Sequence, residues 1–337
     1  MNVFWNAEEN RLRALWRLLA QVLLTIVLGA LPILLVAEPL TWLHRRAVFL
    51  PGLSKAVYDP VVNMIVGPLV TLAVIASVAL GRRWIDKRGW DAYGVCFDAR
   101  GWAALPAGFG LGVLLMSAIF AVELAFGWVE VRGFLAQNAG IPLALGLSFT
   151  LVKDLCVGVY EELISRGFLL RNLSDGLGPV WGVVVSSSIF AVLHAFNPNA
   201  SVQGMVGIFM AGLLLAAARL RTGRLSAAVG LHIAWNLCQG AVFGFAVSGD
   251  PEPASLIAIV QRGPEVWTGG AFGPEAGLLG IAACLVGIAL LFLLPRYPEP
   301  TGGTDAEADL SRARLLGDDR GSAADPDRPL PDREPQG

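Results

Sequence analysis

The stretch Val159–Leu170, VYEELISRGFLL, sets two adjacent glutamates and an arginine in an otherwise apolar run. Lys153 and Asp154 precede it, so five ionisable groups stand where hydrocarbon tolerates almost none. A charge at the bilayer centre costs roughly 2.5–3.5 kcal/mol even on lenient insertion scales, so such groups face protein cavities and mark function. On a helix Glu162 and Arg166, four apart, share a face and can pair. Glu161 is turned by about 100° from Glu162, which leaves its carboxylate free. Two of the three histidines lie in further apolar runs. His194 closes SSSIFAVLH with Phe190 four residues earlier, and His232 in VGLHIAWNL has Asn236 four residues later.

These residues together support addition of water to a carbonyl. A carboxylate in a desolvated pocket serves as a general base near neutral pH, and a neutral imidazole beside it passes the proton to a leaving amine. A second histidine and an asparagine supply N–H donors where an oxyanion develops. No GxSxG serine and no HExxH motif is present. Glutamate-activated water without a cofactor is the simplest mechanism. Glu161, His194 and His232 equally make a ligand set for Zn²⁺ with an open fourth position, and the residues alone allow both.

The elements that must position these side chains are apolar helices. Of 337 residues 55% are hydrophobic and 15% charged, with mean hydropathy +0.61. Soluble domains carry about 25% charged residues, so the composition is that of an integral membrane protein. The net charge of −2 gives no sign of a nucleic-acid partner. With four cysteines and no CxxC pair, neither a zinc ribbon nor a disulfide framework is indicated.

The pattern predicts an all-α, polytopic bundle of about eight spans with a disordered tail. The spans are expected at about Leu18–Val36, Pro60–Leu80, Trp102–Phe126, Ile141–Leu173, Val180–Phe196, Val202–Leu220, Leu225–Val247 and Glu275–Leu294. Between them, Trp128–Gly140 reads as a short connection, Asn197-Pro198-Asn199 as a turn, and Ser248–Gly273 as a loose segment. His44 falls in a loop among arginines and reads as solvated. The basic loop Arg82–Arg88 reads as a topology signal that contacts anionic headgroups. The expected divisions are 1–140, a polar tail and three spans; 141–247, a catalytic core; 248–297, a loop and the last span; and 298–337, a tail rich in Pro, Gly, Asp and Arg. Arginines concentrate on the side of both termini, which places both in the cytoplasm, in the plasma (inner) membrane.

EExxxR, FxxxH and HxxxN, in that order on hydrophobic helices, resemble the CPBP (ABI) intramembrane protease family, which includes the type II CAAX prenyl endopeptidases. The resemblance covers about Ile141–Val247. It implies Glu161 and His194 as the water-activating pair, His232 and Asn236 on the oxyanion side, and Glu162, Arg166 and Phe190 as supporting residues. It also implies a peptide or membrane-protein substrate held at the lipid bilayer, prenylated CAAX proteins being one such class. The residue before the arginine, commonly aromatic in the family, is Ser165 here, which alters the pocket wall.

Blander roles stand beside these. Glu162–Arg166 serves equally as a structural ion pair, Asn236 as interhelical glue worth about 0.6 kcal/mol, and Phe190 as cavity wall. Lys153 and Asp154 receive no role. The alternative to an intramembrane endopeptidase is a non-catalytic scaffold or bacteriocin-immunity-type protein of the same family. A proton-coupled transporter is the weaker alternative, because intramembrane motifs occupy only the second half.

Overall fold

A computed structural model describes residues 4–6, 11–137 and 140–293. Among the described residues six helices are long and apolar enough to cross a membrane: α1 (Ala14–Arg45), α2 (Lys55–Asp86), α3 (Ala99–Ala125), α4 (Leu143–Leu177), α5 (Pro179–Phe196) and α6 (Val202–Thr222). Two shorter ones pack among them, α7 (Leu225–Leu237), extended by a π-helical turn over Cys238–Val242, and α8 (Leu278–Leu293). The polytopic helical bundle is therefore as expected. The chain is an integral membrane protein.

Several boundaries move. The seventh run stops being helical at Val242 rather than Val247, and it carries the polar His232, Asn236 and Gln239. The eighth helix begins at Leu278, because Gly273, Pro274 and Gly277 break the chain before it. The expected disordered tail, 298–337, lies outside the described residues.

Two segments read as connections form a sheet. Strands β1 (Trp5–Asn6) and β2 (Arg11–Leu12) make a minor pair near the N-terminus, but β3 (Val129–Gln137) and β4 (Ala254–Gln261) run antiparallel over most of their lengths. Local pattern could not reveal this, since the partners are over a hundred residues apart. Gln261 at the end of β4 donates to the buried Glu123 carboxylate on α3 at 2.8 Å and so ties the ribbon to the bundle.

His44 is not in a loop. It lies in the last turn of the helical stretch Glu38–Arg45, stacks on Tyr58 at 3.9 Å between ring centroids and hydrogen-bonds the Phe49 carbonyl at 3.1 Å. The basic loop also turns inward. Arg88 joins Arg17 in pairing with Asp175, at 2.7 and 3.1 Å, and Arg82 lies over the Trp90 ring. Arg17 bridges further to Asp86 and Asn172, and Tyr93 donates to Asp86 at 2.5 Å. Burial, and then the Asp86 carboxylate, holds the Tyr93 hydroxyl protonated well above its ordinary range. This buried network clamps the start of α1 against the end of α4.

Helix α7 crosses α3 backbone to backbone. A Cβ added at Gly108 would lie 2.0 Å from the Ala227 carbonyl oxygen, and one at Gly230 would lie 2.1 Å from that of Leu105. Gly108 and Gly112 form a small-xxx-small stripe, the pattern by which membrane helices approach closely in the absence of a hydrophobic drive. That contact sets the height of His232 in the bundle.

Candidate active site

Helix α4 carries the acidic pair at a change of winding. Its α-helical part ends at Glu162 and passes into a π-helical stretch, Leu163–Leu169, before α-helix resumes. Such wide turns favour functional sites because they rotate side chains out of the regular ladder. Glu162 is fully buried; its Oε1 accepts from Arg166 Nη1 and from His232 Nδ1, each at 2.9 Å. The i,i+4 pair expected from spacing is present, and it also joins α4 to α7. Glu161 is partly exposed, and its Oε2 is buried without a hydrogen-bond partner.

Phe190 stands at the centre of the other motifs. Arg166 lies over its ring at 4.0 Å, His194 sits at 4.6 Å and His232 meets it edge-on at 6.2 Å, both between centroids. One aromatic ring therefore spaces the guanidinium and both imidazoles. His194 begins a short 3₁₀ turn at the end of α5, and its Nδ1 lies 2.8 Å from the Phe190 carbonyl oxygen. A carbonyl only accepts, so Nδ1 carries the proton and Nε2 presents a lone pair.

His194, His232, Asn236 and Phe190 line one cavity of about 40 Å³, room for about three water-sized groups. Its apolar wall comes from α6 and α7, with Ile208, Leu214, Leu231 and Trp235. The structure thus brings the second and third motifs into one cavity. The glutamates lie outside its lining. Glu162 reaches it through His232. Ser165 is buried inside the π-helical stretch.

Among the described residues no three His, Cys, Asp or Glu side chains are grouped so as to hold a metal.

Two cavity residues escaped sequence reasoning, Ser248 and Glu275. They come from beyond the last motif, and nothing in their local pattern points back to it. Lys153 and Asp154 gain partners from the same region. Lys153 pairs with Glu252, which also accepts from Thr150 at 2.7 Å, while Asp154 is fully buried 3.6 Å from Lys153. This cluster pins α4 to the segment leading into β4.

Residues 143–238 match the family model described as type II CAAX prenyl endopeptidase Rce1-like. That span begins with α4, ends just after α7, and contains all three motifs. The description is of an endopeptidase family, which supports a hydrolase. No curated protein matches the chain.

Proposed function

We propose that the Rce1-like segment is an intramembrane endopeptidase that hydrolyses a peptide bond with a glutamate-activated water. The observation that carries this reading is the unequal state of the two glutamates. Both keep a buried Oε2 that no protein group satisfies, but Glu162 is engaged through its Oε1 by Arg166 and His232, whereas Glu161 is partly exposed and is held by no such pair. An unsatisfied buried oxygen is costly, and a water that it orients would relieve the cost.

Glu161 takes a proton from that water as the oxygen attacks the carbonyl carbon. The lone pair on His194 Nε2 orients the same water, accepts its second proton and passes it to the nitrogen as the C–N bond breaks, and Glu161 returns its own proton to the departing amine. The oxyanion forms against Asn236 and His232. For His232 to donate there it must be the imidazolium, with Nδ1–H on Glu162 and Nε2–H toward the cavity. Glu162 and Arg166 therefore act through His232. The substrate is a peptide or membrane-protein segment presented from the bilayer, and both termini of the enzyme face the cytoplasm.

The test is cleavage of a broad peptide and membrane-protein library by the purified chain in detergent, with wild type, Glu161→Ala and His194→Ala in parallel. Product from wild type alone supports the reading, with each substitution costing about 10²–10⁴ in rate. Product that persists in both variants overturns it, as does a cellular phenotype that survives both, which would make the chain a scaffold. A chelator arm addresses the cofactor. Unchanged cleavage is expected, and loss restored by Zn²⁺ would reassign Glu161, His194 and His232 as metal ligands.

A further inference from the structure

Glu275 is the one acid that lines the cavity itself. It lies in a single 3₁₀ turn, Pro274–Ala276, just ahead of α8, and only 4% of it is exposed. Its Oε1 accepts from the Ser248 backbone N–H at 2.5 Å and from Ser248 Oγ at 3.2 Å, and its Oε2 accepts from the Gln239 side-chain amide. Among the described residues no cation lies within ion-pair distance of it. The turn is pressed hard against α6, where a Cβ added at Gly207 would fall 1.8 Å from the Glu275 carbonyl oxygen. The carboxylate is thus held rigidly at the end of the cavity where α5 and α7 finish and α8 begins.

A buried charge without a counter-ion is expensive, yet this one is supplied with three donors. Those donors are all neutral, so the positive charge that the carboxylate lacks is what an ammonium arriving in the cavity would supply. Burial holds the carboxyl pKa up to about 7, as expected where no cation compensates.

We propose that Glu275 receives the amino group released on peptide hydrolysis and thereby fixes the direction in which substrate lies. This rests on the endopeptidase reading. Water adds its oxygen to the carbonyl carbon, the C–N bond breaks, and both of the water's protons pass to nitrogen, which leaves a carboxylate and an ammonium. The carboxylate product is repelled by Glu275 and the ammonium is attracted. The amine-side fragment therefore runs toward Glu275 and Ser248, and the acyl side runs away from them. The cavity admits an amino terminus and little more.

The test uses the full chain in detergent and reads binding without turnover. Alanyl-alanyl-alanine amide with a free amino terminus is titrated against its N-acetylated form. Wild type is expected to bind the free amine at least about tenfold more tightly, and Glu275→Gln to bind the two within about twofold, thermal unfolding confirming that the variant is folded. Should it not fold, Glu275→Asp, which withdraws the charge by one methylene, is expected to cut the preference at least about threefold. Equal or undetectable binding of both peptides by wild type overturns the proposal, as does a preference kept by the folded variant. A chain that discriminates the peptides but never cleaves would sink the endopeptidase reading alone. One that cleaves without discriminating would sink the Glu275 subsite alone.

Discussion

The two glutamates differ in what surrounds them, and their substitutions should differ accordingly. Glu161→Gln removes the proposed base and leaves the packing intact, so activity should vanish while thermal stability in detergent holds. Glu162→Gln keeps the shape but weakens the link to Arg166 and His232. It should cost about 10²–10³ in turnover, the scale of a lost oxyanion donor, and also lower stability, because Arg166 would be left as an uncompensated buried charge. Equal stability of the two variants would refute this division of roles. Glu275 sets a pH dependence. Its folded pKa is raised to about 7 by burial, so its contribution to stability is complete below the ordinary carboxylate range and is lost as pH rises through about 7. Thermal unfolding from pH 5 to 8 should show wild type falling relative to Glu275→Gln, and parallel curves would count against it.

At the scale of elements, the site depends on two close helix contacts. α7 reaches its height through the Gly108/Gly230 crossing with α3, and Gly158 on α4 would meet Ile233 at 2.5 Å if it carried a Cβ. Gly230→Val should therefore cost about 1–3 kcal/mol, as overpacking does, and should also lift His232 away from Glu162. Reduced melting temperature together with reduced activity is expected in a substitution that touches no proposed catalytic group. Activity unchanged in a destabilised variant would show that the crossing does not position His232. The π-helical stretch in α4 matters for the same reason, since it begins at the residue after the acidic pair.

At the scale of the molecule, the bundle has two unlike ends. One holds the buried Arg17–Asp86–Asn172–Asp175 network with Arg88 and Tyr93. The other holds the β3–β4 ribbon, the Asn197–Asn199 turn and the segment that carries Ser248, which Asn197 grips through the Ser248 carbonyl at 3.0 Å. In the proposed orientation, with both termini cytoplasmic, the ribbon is external. In a background lacking the four native cysteines, Glu130→Cys should react with a membrane-impermeant maleimide on intact cells. Lys87→Cys should react only after permeabilisation. The reverse pattern would invert the orientation.

Much of this was legible in the chain. Membrane character follows from composition, because every span must present apolar side chains to lipid. The Glu162–Arg166 pair, the shared face of Phe190 and His194, and that of His232 and Asn236 follow from helical geometry over four residues. Such relations are local and survive any tertiary arrangement. What only the tertiary structure decided involves partners distant in sequence. The engagement of His232 by Glu162 rather than Glu161, the ring of Phe190 between Arg166 and the imidazoles, the pairing of β3 with β4, and the arrival of Ser248 and Glu275 in the cavity all depend on how helices rotate against one another. That rotation is set by glycine contacts and buried polar pairs between elements, which a period of 3.6 residues cannot encode.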